Sequence, residues 1–169
     1  MDNSSNQTYS LREMAILQCS SMGGPNNTYQ WQAKGTYIDG EISQILILSN
    51  VTASTGGMYT CVVSNLAGNH SASTFVFVYP YIVEEPPAII TVSTGSPVLI
   101  ICDVESFPSP EYLWLRIEDR IFREGTLNNS ASLNISSIQY GDEGGYYCNA
   151  SARGRTVQSQ LAVITGTVG

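Results

Sequence analysis

The four cysteines, at positions 19, 61, 102 and 148, are the residues best suited to chemistry in this chain of 169 residues. A thiol can act as a nucleophile, a metal ligand or half of a disulfide. No two cysteines are close enough for a Cys-x-x-Cys redox motif or a zinc knuckle, and one histidine cannot complete a metal cluster. We therefore expect no metal or other cofactor, and an oxidising compartment.

Side chains for acid–base catalysis are equally sparse. The single histidine, His70, lies within Asn69-His70-Ser71 at a predicted exposed hairpin, where an ordinary surface histidine is expected. Asp142 and Glu143 are adjacent, but they fall where the predicted fold turns between two strands. One acidic dipeptide also cannot supply the six or so oxygen ligands of a calcium site. We expect no enzymatic activity from this chain.

The cysteines belong to a repeat that also contains one tryptophan and one tyrosine. In each half, a tryptophan follows the first cysteine by twelve residues, and a tyrosine precedes the second by two. The two sets are Cys19, Trp31, Tyr59, Cys61 and Cys102, Trp114, Tyr146, Cys148. Apolar residues around them alternate with polar ones, which predicts β-strands, and no segment has helical periodicity.

This pattern resembles the immunoglobulin sandwich, and more specifically the I-set domains of cell-adhesion molecules, hemicentin-like proteins and receptor tyrosine kinase ectodomains. The second repeat carries the resemblance at Cys102, Val104, Ser106, Pro108, Pro110, Trp114, Arg116, Leu133, Ile135, Ile138, Asp142, Gly144, Tyr146 and Cys148. The first carries it at Gly23, Pro25, Leu46, Leu48, Val51, Gly57, Tyr59, Cys61, Asn65 and Gly68.

The resemblance implies an all-β fold of two immunoglobulin-like sandwiches in tandem. It implies one inter-sheet disulfide in each, Cys19 with Cys61 and Cys102 with Cys148, and core positions for Trp31, Trp114, Tyr59 and Tyr146. The last strand of the first repeat runs into Pro80 and new apolar residues follow at once, so we place the domains at 1–80 and 81–169. Thr55 stands where the second repeat has Asp142, so any salt bridge of that aspartate is expected to be missing from the first domain.

Sequons for N-linked glycosylation are unusually frequent. They begin at Asn3, Asn6, Asn26, Asn50, Asn69, Asn128, Asn134 and Asn149. Together with the paired cysteines they predict a secreted or cell-surface glycoprotein. No segment is long and apolar enough to span a bilayer and no signal peptide is present, so we expect a piece of a larger ectodomain.

The charge of the chain bears on its partners. The net charge is −7, and lysine and arginine are not clustered. Nucleic acid and anionic membranes are therefore unsuitable ligands, and we expect no membrane insertion by this fragment. A protein partner, or a second copy of the chain, remains the expected ligand.

Strand parity predicts which side chains point away from the cores. In the first domain Val62, Phe75 and Phe77 face outward and would form an apolar stripe, on a face with no sequon inside its strands. In the second domain Leu113, Leu115 and Tyr147 face outward, beside the sequon at Asn149. We predict these six residues as partner-binding, with the first domain as the better candidate.

The sequence therefore predicts a non-catalytic extracellular binding module of a cell-surface adhesion or recognition protein, which engages a protein partner, or another copy of itself, through an exposed sheet. One alternative is the ligand-binding or spacer part of a receptor tyrosine kinase ectodomain. Another is a purely mechanical spacer.

Overall fold

The computed structural model of the protein describes residues 6–20, 26–118, 121–123 and 129–167. These residues fall into two compact units, the first with residues up to Tyr79 and the second with most of the chain from Pro80 onward. Within the described residues, each unit contains β-strands and one short 3-10 turn, Ala53–Thr55 in the first and Tyr140–Asp142 in the second.

The strands alternate buried and exposed residues, as half-buried strands require. The first seven are β1 (Gln7–Tyr9), β2 (Ala15–Gln18), β3 (Thr28–Ala33), β4 (Thr36–Tyr37), β5 (Ile45–Leu48), β6 (Gly57–Asn65) and β7 (Gly68–Glu84). The others are β8 (Ile89–Ser93), β9 (Val98–Ile101), β10 (Asp103–Phe107), β11 (Glu111–Glu118), β12 (Ile121–Arg123), β13 (Ser132–Ile135), β14 (Gly144–Ala152), β15 (Arg155–Gln158) and β16 (Ala162–Thr167). Strand β7 continues through Pro80, where the sequence had suggested a break between strands.

Each unit contains a larger sheet and a two-stranded ribbon. In the first unit the larger sheet has the order β1-β7-β6-β3-β4 and the ribbon pairs β2 with β5. In the second unit the order is β12-β11-β14-β16-β8, with β15 also on β14, and the ribbon pairs β13 with β9. Among these pairs, β1 joins β7 and β8 joins β16 in parallel, and the others are antiparallel.

The core of the first unit lies between its larger sheet and its ribbon. The disulfide between Cys19 and Cys61 joins the two layers, with their Cα atoms 6.0 Å apart. Trp31 is buried in the same core as this disulfide. The buried cluster consists of Ala15, Leu17, Cys19, Trp31, Leu46, Val51, Tyr59, Cys61, Val63, Val76 and Val78.

The second unit repeats this arrangement around the disulfide between Cys102 and Cys148, with Cα atoms 6.6 Å apart. Its cluster consists of Val98, Ile100, Cys102, Val104, Trp114, Leu133, Ile138, Tyr146, Cys148, Ala150, Ala162 and Ile164. The sequence left open whether Val98 or Leu99 points inward. The structure places Val98 in the core and leaves Leu99 exposed.

A tyrosine fixes the turn before a central strand of each larger sheet, β6 in the first domain and β14 in the second. The Tyr59 hydroxyl donates to the Thr55 carbonyl oxygen at 2.8 Å, and the Tyr146 hydroxyl donates to the Asp142 carbonyl oxygen at 2.7 Å. These tyrosine corners hold the 3-10 turn against the sheet.

The side chains of Thr55 and Asp142 also make equivalent hydrogen bonds. Thr55 Oγ1 accepts a hydrogen bond from the Thr52 backbone N–H at 2.9 Å, and Asp142 Oδ2 accepts one from the Gln139 backbone N–H at 2.9 Å. A hydroxyl oxygen and a carboxylate oxygen are both suitable acceptors. The first domain, which has threonine where the second has aspartate, therefore keeps the hydrogen bond that closes this turn.

Candidate interaction face

The outer side of the larger sheet in the first domain carries the residues that the sequence predicted as partner-binding there. The register shows which side chains point outward. Trp31 lies opposite Cys61 and Cys61 opposite Ala72 on the inner side, so the residues that alternate with them point outward. The outward positions of β3, β6 and β7 as far as Phe77 are Thr28, Gln30, Gln32, Met58, Thr60, Val62, Ser64, Asn69, Ser71, Ser73, Phe75 and Phe77. None of these side chains carries a formal charge, and we call this surface the uncharged face.

One end of the uncharged face is apolar. The rings of Phe75 and Phe77 are stacked, with centroids 5.7 Å apart and planes inclined by 13°. Phe75 is 39% exposed, whereas Phe77 is half-buried. Met58 lies directly opposite Phe75 on β6 and is 37% exposed. Met58 and Phe75 are therefore the accessible apolar contacts at this end.

The position of Val62 corrects the sequence-based prediction of one continuous stripe. Val62 pairs with Ser71, not with either phenylalanine. The pair of Thr60 and Ser73 lies between Val62 and Phe75, with their hydroxyl oxygens 2.8 Å apart. Sequence parity gave the correct side of the sheet, but the strand register decides which residues are neighbours, and it makes Met58 the neighbour of Phe75.

Val62 instead lines an open groove at the other end of the uncharged face. The groove is lined by Asn27, Thr28, Tyr29, Gln30, Ile42, Val62 and Ser64. Gln30 is held in place, since its Nε2 donates to the Ile38 carbonyl oxygen at 2.9 Å. Ile42 adds an exposed apolar side chain that strand parity could not identify, because it lies outside the strands.

A sequon also lies at this groove end, which corrects a second prediction. Strand β7 begins at Gly68, so Asn69 is inside the strand and pairs with Ser64. It faces outward with Ser71 and is exposed. Asn69 and Phe75 are six residues apart, or about 20 Å along an extended strand. A glycan on Asn69 would therefore begin at the groove end of the uncharged face.

The corresponding face of the second domain is less accessible. Leu113 and Leu115 are half-buried, and Tyr147 is only 5% exposed. Tyr147 lies on the predicted side of the sheet, opposite Leu115, but β14 is a central strand with neighbours on both sides. The prediction of an accessible Tyr147 is therefore wrong. Leu115 lies directly opposite it, and the Leu161 side chain lies against Gly145, the preceding residue on the same side of β14.

The remaining sequons lie mainly on the surface. Asn6, Asn26, Asn50 and Asn134 are exposed, and Asn149 is half-buried opposite Leu113. Asn3 and Asn128 lie outside the described residues. In the part of the chain that the structure describes, no three His, Cys, Asp or Glu side chains are grouped as a metal site would require. No helix among those residues is long and apolar enough to cross a membrane.

Comparison with protein families identifies the fold. The family described as Immunoglobulin domain matches residues 2–65 and 80–152, one match in each half of the chain. The chain belongs to the immunoglobulin family. This immunoglobulin chain is a non-enzymatic module, and the predicted tandem of two all-β sandwiches, each with its own disulfide, is confirmed.

Its relatives include cell-adhesion proteins. Roundabout homolog 3 from Homo sapiens is 30% identical over 157 residues, which cover 86% of this chain and 11% of that protein. Contactin-4 from Rattus norvegicus is 30% identical over an alignment of 169 positions, which covers 91% of this chain and 16% of that protein. The cell adhesion molecule DSCAM from Gallus gallus is 30% identical over an alignment of 179 positions, which covers 91% of this chain and 9% of that protein. The chain thus spans only a small part of the length of these relatives.

Solved structures agree on the fold. The N-terminal four Ig domains of Dscam1 isoform 7.44 match with a TM-score of 0.71 and 21% identity, over 99% of this chain and 44% of that one. The insect immune protein hemolin matches with a TM-score of 0.62 and 21% identity, over 97% of this chain and 45% of that one.

Proposed function

We propose that this immunoglobulin chain, with domain limits at 1–80 and 81–169, is an extracellular recognition module of a cell-surface adhesion protein. It engages a protein partner through the uncharged face of the first domain, with Met58 and Phe75 as the central apolar contacts. The observation that carries the proposal is the pairing of these two exposed side chains on a face without formal charges.

The composition of the uncharged face favours protein contact. The buried centres of protein interfaces are depleted in charged residues and enriched in aromatic residues and methionine. Phe75 and Met58 stand on hydrogen-bonded strands, so a partner that buries them orders little additional backbone. Hydroxyl pairs such as Thr60 and Ser73 provide polar contacts beside them.

A second copy of the chain is the first partner to test. The net charge of −7 makes contact between charged surfaces of two copies unfavourable, whereas two uncharged faces bring no like charges together. Among the structurally similar proteins, hemolin has a domain arrangement with implications for its own homophilic adhesion.

Substitution of the two apolar contacts tests the proposal. We expect Met58→Ser combined with Phe75→Ser to weaken self-association, or binding to adherent cells, about tenfold or more. Analytical ultracentrifugation and cell-binding assays measure these effects. Tyr140→Ser is the control, because Tyr140 is an exposed aromatic residue in the 3-10 turn of the second domain, outside both the uncharged face and the ribbons.

Two results would contradict the proposal. One is equal binding by the double variant and the wild-type chain. The other is a wild-type chain that remains monomeric and binds no cells. Near-ultraviolet circular dichroism of each variant establishes that the sandwich is intact.

A further inference from the structure

The ribbons of the two domains have the same register but different outer faces. Ile16 pairs with Ile47 between β2 and β5, and Leu99 pairs with Asn134 between β9 and β13. Ile47 and Asn134 occupy equivalent positions, since each lies between two residues that face the core of its own domain. At this position the outer face of the first ribbon has an isoleucine, whereas that of the second has an asparagine.

The ribbon of the second domain exposes an apolar surface beside this site. Leu99 is 59% exposed, and Ile101 on the same side of β9 is also exposed. Asn134 is exposed on the neighbouring strand and begins the sequon Asn134-Ile135-Ser136. Side chains directly opposite each other in an antiparallel pair have Cβ atoms about 5 Å apart. A sugar linked to Asn134 would therefore begin next to Leu99.

We propose that Asn134 carries an N-linked glycan that lies over Leu99 and Ile101 and prevents this ribbon from associating with other molecules. The proposal uses the extracellular location given under the proposed function, but not the uncharged face. Glycans are bulky and hydrophilic, so one placed here replaces an exposed apolar surface with a hydrated one.

The first domain has an equivalent ribbon whose two strands contain no sequon. Its outer face exposes Met14, Ile16, Ile45 and Ile47, and neither β2 nor β5 contains an asparagine. The segment Ile47-Leu48-Ser49 becomes a sequon by the single change Ile47→Asn, because Ser49 already stands two residues later. The two ribbons thus form a natural pair for a gain-and-loss experiment.

The first measurement locates the sugar. The chain is secreted from mammalian cells behind an added signal peptide, and glycopeptides are identified by mass spectrometry. We expect the Asn134 glycan in the wild-type chain and its loss in both Asn134→Gln and Ser136→Ala, the second of which keeps the asparagine. Ile47→Asn should gain a glycan opposite Ile16. An Asn134 without sugar in the secreted chain would overturn the proposal.

The second measurement tests whether the sugar covers the apolar surface. We expect Asn134→Gln to increase bis-ANS fluorescence and self-association in ultracentrifugation relative to the wild-type chain. Adding Leu99→Ser to that variant should reverse both increases, and Ile47→Asn should lower dye binding by the first domain. Unchanged dye binding by Asn134→Gln would contradict the covering role. Failure of the Met58 and Phe75 test leaves these results unaffected, because those residues lie on a different sheet of the other domain.

Discussion

The two domains share an inner framework built from the same residue types. The indole N–H of Trp31 donates to the Ser43 carbonyl oxygen at 2.9 Å, and that of Trp114 donates to the Ser130 carbonyl oxygen at 3.1 Å. In both domains the tryptophan lies in the cluster that contains the disulfide. The residues that repeat in the sequence thus make the same contacts in both domains, and these contacts form the interior of each sandwich.

The outer faces of the two domains do not repeat in this way. Phe75 is accessible on the larger sheet of the first domain, whereas Tyr147 is buried on that of the second. On the ribbons, an exposed Ile47 corresponds to a sequon at Asn134. Core packing therefore constrains one side of each strand and leaves the other side free to differ between domains.

Removal of a disulfide should produce the largest effect, and a similar one in both domains. The bridges close loops with sequence separations of 42 and 46, for which the chain-entropy model gives about 4 kcal/mol each. We expect Cys19→Ala with Cys61→Ala to lower the unfolding midpoint of the first domain about as much as Cys102→Ala with Cys148→Ala lowers that of the second. Differential scanning calorimetry measures both. A loss confined to one domain would break the equivalence of the two interiors.

The 3-10 turn before β6 should contribute less to stability than the disulfide. Thr55→Ala removes the acceptor for the Thr52 N–H and should cost about 1 kcal/mol of unfolding free energy. Thr55→Asp should retain most of that free energy, because the second domain forms the same bond with Asp142. Urea denaturation provides the values. If Thr55→Asp were as destabilising as Thr55→Ala, the two turns would not be interchangeable.

Alkaline pH should produce the smallest change. Burial raises the pKa of Tyr59 above its ordinary value of 10.0. The unfolded chain therefore loses this proton at lower pH than the folded chain, so the contribution to stability is present below pH 10 and is lost as pH rises through the folded value. We expect the unfolding free energy to fall above pH 10, and Tyr59→Phe to remove part of that fall. An identical alkaline profile for Tyr59→Phe would exclude Tyr59 as a cause.

The sequence predicted the interior well and the surface only in part. Trp31 and Trp114 occupy the centres expected from their spacing, because the inner contacts depend on residue type and strand parity. Register is a pairing between strands that no single strand encodes, so Met58 was missed as the neighbour of Phe75. The burial of Tyr147 likewise depends on adjacent strands.

Strand length was the other quantity that the sequence left undetermined. The sequence predicted an exposed hairpin at Asn69-His70-Ser71, but β7 begins at Gly68, and this places Asn69 on the uncharged face. Leu66, at the tip of this hairpin, is fully exposed. These positions could have been predicted only by knowing where the hairpin closes. In the structure β6 stays paired with β7 up to Asn65, and the sequence does not show this.

The tyrosine corners have an evolutionary consequence. Both hydroxyls donate to a main-chain oxygen, which every amino acid supplies whatever its side chain. Mutational drift at position 55 or 142 can therefore proceed without loss of the corner itself. A search profile that demanded an acid at that position would overlook domains like the first one, whereas a profile centred on the tyrosine would retain them.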